Sequence, residues 1–195
     1  MTDSTSHAVV GVVLRVRDGR LEALTAAAEL GEGGLEAALA RALDVRALAH
    51  VEQLETRMAA GRLTTAYLGL VPPGVELDGD WRPVGDLLEL PVDTASLVTA
   101  ACARLRAKLS YTNVGFALAP ATFTLSELRQ IYVAALGHDV STTNLQRVLI
   151  RRGVLERVEG RRAPGRAGGR PAALYRFASR RLEVTDEFAA LRPPR

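Results

Sequence analysis

The sequence predicts an α+β fold in two parts, and three observations carry that expectation. From Ala8 to Val71, β-branched runs alternate with turn residues around one short helical stretch, and a long amphipathic helix follows, the pattern of a mixed α/β layer. From Thr124 to Phe177, two capped helical stretches stand a short glycine turn apart and lead into a hairpin, the pattern of a winged helix-turn-helix. Charge is divided between the same two parts. Up to Pro120 there are 11 basic and 15 acidic residues, a net of −4, and beyond it 14 and 7, a net of +7, in a chain of 195 residues that is only +3 overall. A polyanion partner for the second part is the physical implication.

Taken in order, Ala8 to Val16 is an apolar, β-branched run and Arg20 to Thr25 alternates in polarity. Between them Asp18-Gly19 is a dipeptide that two-residue hairpin turns favour, so a hairpin opens the fold. After Gly31-Glu32-Gly33-Gly34, the stretch Leu35 to Leu43 places Leu35, Ala38, Leu39, Ala42 and Leu43 at helical spacing. Ala49 to Thr56 and Arg62 to Val71 read as strands, the second stopped by Pro72-Pro73-Gly74, and Trp81 to Val84 adds a short extended piece. A long helix at about 94–109 carries Leu97, Ala101, Leu105 and Leu109 four apart, with Val98 and Cys102 beside them. That stripe suits packing within the chain or part of a dimer surface, and both readings stand. Ser110 to Ala121 reads as a mixed connector.

The division is therefore 1–112 for the first domain, 113–180 for the second and 181–195 for a tail, in which Arg180 onward reads as a short helix followed by disorder. A hydrophobic fraction of 48% suffices for one ordinary core and a small second one. The lone Cys102 forms no internal disulfide and, among Ala101, Ala103 and Leu105, reads as a small buried hydrophobe. No apolar run approaches the roughly 18 residues of a membrane span, and Met1 to His7 lacks the order of a signal peptide, so a cytoplasmic protein without membrane contact is expected. His7, His50 and His138 stand apart, without zinc spacing, and neither a metal nor a cofactor is expected.

The second part is the more informative. Thr124-Leu125-Ser126-Glu127 fits a capping box, Leu125, Leu128, Ile131, Tyr132 and Ala135 form the buried face of the helix it starts, and Gly137 is placed to end it. Ser141 caps a second helix whose Leu145, Val148 and Leu149 turn inward and which Gly153 stops. Its remaining side chains, Thr142, Thr143, Asn144, Gln146, Arg147 and Arg151, are left for solvent or DNA. Asn and Gln pair with adenine and Arg with guanine, while hydroxyls at a helix start hold phosphate. Asn144, Gln146 and Arg147 are thus the expected base readers, and Thr142 and Thr143 the phosphate contacts. Val154 to Val158 and Ala173 to Phe177 read as paired strands joined by a loop from Glu159 to Pro171, in which Arg161, Arg162, Arg166 and Arg170 are set to lie along phosphates or enter a narrow minor groove. RNA is the weaker partner because no stacking aromatics are spare, Tyr175 and Phe177 being needed in the core.

These residues resemble the Nudix-related transcriptional regulators, a family that joins an N-terminal Nudix-like domain to a C-terminal winged helix and controls NAD-cofactor or sugar-metabolism genes. The likeness lies in Arg104 through Thr112, Phe123 through Leu128, Asn144 with Arg147, and Gly169 through Phe177, and continues upstream in Val51 through Leu54, Ala66 through Val71 and Trp81 through Val84. It covers most of Val9 to Phe177.

The catalytic pattern of Nudix hydrolases is missing. Those enzymes set glutamates on one helix face because several carboxylates are needed to hold divalent metal against a diphosphate. Here Arg41-Ala42-Leu43-Asp44-Val45-Arg46 fills that place, the ligand positions become Ala42, Val45 and Arg46, and no Glu-Glu pair occurs in the chain. Glu36 and Asp44 are too few for a two- or three-metal site.

The expectation is a degenerate Nudix-like α/β domain followed by a winged helix-turn-helix, and not an enzyme. The chain would act as a homodimeric transcriptional regulator, a repressor, on an inverted-repeat operator in double-stranded DNA. The resemblance implies a small-molecule effector such as ADP-ribose. The alternative is a metal-dependent Nudix hydrolase of ADP-ribose or related nucleoside diphosphates.

Overall fold

The computed structural model describes residues 6–31, 34–59, 61–86, 90–163 and 171–186. Strands β1 (Ser6–Arg17) and β2 (Arg20–Glu29) form the predicted hairpin around Asp18-Gly19, whose φ values of 49° and 73° suit the primed turns of tight hairpins. Helix α1 (Gly34–Ala42) follows, then β3 (His50–Ala59), β4 (Arg62–Leu70) and the short β5 (Arg82–Pro83). The sheet order is β3-β4-β1-β2-β5, with β1 and β4 parallel and the other neighbours antiparallel.

Central strand β1 is apolar over a continuous run because both of its faces are covered. Val12 and Leu14 face the core under helix α2 (Val92–Tyr111), whereas Val13 faces a smaller cluster with Leu24, Leu43 and Val71 beneath α1. Gly11 is required for that second layer. A Cβ at this position would lie 2.3 Å from Cδ1 of Leu43, so only glycine lets the end of the helical segment seat on the strand.

Helix α2 buries the expected stripe of Leu97, Val98, Ala101, Cys102, Leu105 and Leu109, and runs about two residues further at each end than its apolar spacing indicated. Burial pushes the Cys102 thiol up, with nearby Arg106 opposing, which agrees with a packed rather than reactive sulfur.

The segment read as a mixed connector is a wall of the core. Asn113 leads into a 3-10 turn at Val114–Ala117, and Val114, Phe116, Ala117, Leu118 and Ala119 are all buried. They join the sheet and α2 to helices α3 (Leu125–Leu136) and α4 (Thr142–Arg151) and to the hairpin β6 (Leu155–Arg162) and β7 (Ala172–Phe177) in one continuous apolar cluster. Its short run of small and apolar residues has neither helical nor strand period, so periodicity concealed a role that burial reveals.

The start of the tail also differs from expectation. Residues 180–186 form no helix: the chain bends at Arg180 and Arg181, and Val184 makes a bridge to Thr112. The Asn113 side chain donates to the Arg181 carbonyl at 2.8 Å and accepts from the Glu183 N–H at 2.8 Å, and the Thr185 N–H reaches the Tyr111 carbonyl at 2.9 Å. Arg152 donates from Nε to Thr185 Oγ1 at 2.9 Å, closing the strap from the side of α4. These partners lie far apart in sequence, which is why no local signal announced them. The expected disorder after the helix falls on 187–195, outside the described residues.

Candidate nucleic-acid interface

The interface is assembled by local capping. Thr124 Oγ1 accepts from the Glu127 N–H at 3.3 Å while Glu127 Oε2 accepts from the Thr124 N–H at 2.7 Å, a complete capping box at the start of α3. Leu128, Ile131, Tyr132, Ala135 and Leu136 are buried behind it. Gly137 ends the helix at φ 76°, a left-handed conformation in which a side chain would also approach the Arg106 guanidinium to 3.0 Å. Arg129 then fixes the turn, donating to the Val140 carbonyl at 2.8 Å and pairing with Asp139.

Ser141 Oγ accepts from the Asn144 N–H at 3.4 Å and so caps α4. Leu145, Val148 and Leu149 point into the core, as their spacing requires. Thr143, Asn144, Arg147 and Arg151 are exposed, and Thr142 is half-buried at the helix start. Arg147 Nη2 donates to Asn144 Oδ1 at 2.8 Å, so these two expected base readers form one joined polar unit on the outer face. Gln146 departs from expectation. It is half-buried, and its Nε2 donates to Tyr175 Oη at 3.4 Å, leaning on β7 rather than standing clear.

The wing begins later than its sequence suggested. Strand β6 continues through Arg162, with the register slipping between Val158 and Arg161, so Arg161 and Arg162 pair with Ala173 and Ala172 as strand residues instead of loop residues. Glycine and charge mark loops in sequence, and here a bulge at Glu159-Gly160 absorbs them within the ladder. Arg161 is exposed. Arg162 is engaged by its own protein, pairing with Glu127 and donating to the Thr122 carbonyl at 3.4 Å. Arg166 and Arg170 lie outside the described residues.

Two residues escaped the sequence reading. Arg152 lies on the inner side and donates towards the Ser110 and Thr112 carbonyls, each at 3.4 Å; no local pattern could have shown this. Ile150 is 46% exposed on the outer face of α4. Its signal was available, since it stands three residues after Arg147 and seven after Thr143.

The comparisons agree with this geometry. Residues 115–177 match the family model of the NrtR DNA-binding winged helix domain. The crystal structure of Shewanella oneidensis NrtR complexed with a 27mer DNA superimposes with a TM-score of 0.71 at 25% identity, covering 87% of this chain and 92% of that one. The second domain thus matches the NrtR winged helix family model, and the chain as a whole shares the fold of that structure. A second structure of Shewanella oneidensis NrtR shares the fold with a TM-score of 0.70 at 23% identity, covering 88% of this chain and 94% of that one. The ADPR responsive transcriptional repressor NtrR of Acinetobacter baylyi is 42% identical over 91 residues, which are 47% of this chain. The matched stretch spans only 35% of that curated relative's length.

The first domain offers a different surface. Ala42 ends α1, and Val45 and Arg46 lie in the 3-10 turn after it, where Asp44 accepts from the Arg46 N–H at 3.2 Å. Among the described residues, no three His, Cys, Asp or Glu side chains gather closely enough to hold a metal ion. No helix among them is long and apolar enough to cross a membrane. A cleft of about 660 Å³ lies between the β1–β2 turn, the Pro72-Pro73-Gly74 loop and α3, with Arg15, Arg17, Glu127 and Gln130 in its walls.

Proposed function

We propose that the chain is a sequence-specific DNA-binding transcriptional repressor, cytoplasmic, working as a homodimer on an inverted repeat. The observation that carries this reading is the outer face of α4, where Thr143, Asn144, Arg147 and Arg151 stand exposed on a capped helix backed by a packed core. A helix so held enters the major groove with its side chains on base edges and its first turn against phosphate. Thr142 and Thr143 take the phosphate, the Asn144–Arg147 unit reads bases, and Arg151 and Arg161 neutralise the backbone. Arg166 and Arg170 complete the wing by their sequence alone. Two such helices would read half-sites about 34 Å apart, or a multiple of that spacing.

The division into residues 1–112, 113–180 and 181–195 goes with this proposal: the first serves dimerisation and sensing, and the second binds DNA. The cleft supports a small-molecule effector of the ADP-ribose class, because its volume of about 660 Å³ falls within the roughly 300–1,000 Å³ of small-ligand sites. It touches both the first sheet and α3, so a ligand seated there would favour one relative placement of the two parts over another. NAD-cofactor or sugar-metabolism genes are the class of target.

Hydrolysis is not part of the proposal. Ala42, Val45 and Arg46 offer no carboxylate where a Nudix enzyme needs several, and Glu36 and Asp44 do not fit a di- or trinuclear magnesium site. Incubation with Mg²⁺ and ADP-ribose should release no product; turnover would restore the hydrolase reading.

The decisive experiment is selection of bound duplexes from a random pool, followed by salt titration of the enriched duplex with and without ADP-ribose. An enriched palindrome whose affinity drops when ADP-ribose is added is the expected result. Affinity explained by salt alone, with no enriched sequence, would overturn sequence-specific regulation.

A further inference from the structure

Ile150 sits where a solvated helix has no use for it. At 100° per residue, the outward direction of α4 is defined by its buried side chains Leu145, Val148 and Leu149, and the opposite line runs through Thr143, Arg147 and Ile150 at i, i+4 and i+7. Ile150 is 46% exposed on that line, whereas Gln146 on one flank is turned towards Tyr175. Arg147 and Arg151, also exposed, set positive charge along its other flank. A β-branched side chain on an exposed helical surface gains nothing in helix propensity. Apolar surface with arginines along one edge instead suits a groove in which charged backbone runs alongside and a methyl group projects from the floor.

Of the four bases only thymine presents such a group, its 5-methyl, in the major groove. Polar side chains read hydrogen-bonding edges and ignore it. We infer that Ile150 is a specificity-determining residue that reads a thymine 5-methyl group, next to the base read by the Asn144–Arg147 unit. This inference rests on the DNA-binding reading above and deepens it. It assigns to the far end of α4 a hydrophobic contact that the polar residues of its first turns do not supply.

The contact should be worth about one buried methyl group, roughly three- to five-fold in affinity per half-site. The test uses the full-length chain and the palindrome enriched from the random pool, remade with uracil in place of each thymine in turn. Uracil keeps every hydrogen-bonding group and lacks only the methyl. For the wild-type protein, one thymine position per half-site should show the three- to five-fold loss. Ile150→Ala should bind the thymine duplex more weakly by a similar factor and show no further loss with uracil at that position, while Ile150→Val should retain much of the discrimination. Thermal unfolding of both variants controls for folding.

Independent, multiplicative effects of I150A and uracil at every position would overturn the inference while leaving the regulator reading intact. So would an enriched motif and a uracil profile unchanged by I150A. A wild-type chain that enriches no sequence would overturn both, and that outcome is separable because it precedes any variant.

Discussion

Helices α1 and α4 have nearly equal length, 9 and 10 residues, and both lay an apolar stripe on a core, yet their outer faces differ. On α1 the outward groups are few and Arg41 is spent on the Glu29 carbonyl at 2.9 Å, while Leu43, just past the helix, fills the space above Gly11. On α4 the inward stripe is complete in three residues, and Thr143, Asn144, Arg147, Ile150 and Arg151 all remain outside. Amphipathic period therefore builds both helices. What separates them is how many outward groups the fold itself consumes.

The sharpest way to break the comparison is to remove the support and the surface separately. Leu149 is fully buried beneath the outer face of α4. Leu149→Ala should cost about 2–5 kcal/mol of stability through reduced burial and a residual cavity, read as a lower denaturant midpoint, with DNA affinity falling only as the folded fraction falls. A matched loss in the first domain should come from Gly11→Ala, where the new Cβ collides with Leu43. Overpacking of this kind costs about 1–3 kcal/mol, and the sequence preference of the surviving folded protein should be unchanged. A changed preference would show that α1 and α4 are coupled more tightly than their separate packing implies.

Arg147→Ala should do the reverse. The side chain is exposed and its partner is Asn144 on the same outer face. Loss of a base-reading arginine costs about 1–3 kcal/mol in binding and relaxes preference at one position, whereas an exposed helix substitution moves stability by only about 0.5 kcal/mol or less. Equal weakening on specific and random duplexes would assign Arg147 to phosphate instead.

Much of this was legible in the sequence, because caps, turns and stripes are local. The hairpin at Asp18-Gly19, the stripe of α2, the capping box at Thr124, Gly137 and the inward face of α4 each need only a few consecutive residues to be recognised. Features that depend on distant partners were not legible. The buried turn at Val114–Ala117, the strap of Arg181 and Glu183 on Asn113, and the turn of Gln146 towards Tyr175 are settled by packing between segments far apart in the chain. At the wing, a count of arginines gave charge but not its allocation, since Arg161 stands exposed and its neighbour Arg162 is held by Glu127.

That last pair yields the smallest and most discriminating effect. The Arg162 and Glu127 side chains are 43% and 38% exposed, and such partly solvated pairs contribute only about 0.2–1 kcal/mol of stability. Arg162→Ala should therefore lower the unfolding midpoint slightly and leave the salt dependence of DNA binding unchanged, because its charge is already neutralised within the protein. Arg161→Ala should leave stability unchanged and reduce the slope of log affinity against log salt by about 1, since one phosphate then goes without its neutralising arginine. Glu127→Gln separates the two roles of that carboxylate, since glutamine still completes a capping box but cannot neutralise Arg162. With Arg162 released towards the duplex, the slope should steepen by about 1. An Arg162→Ala variant that flattened the slope as much as Arg161→Ala would mean that DNA draws Arg162 away from Glu127, making the pair a latch opened by binding rather than a fixed part of the wing.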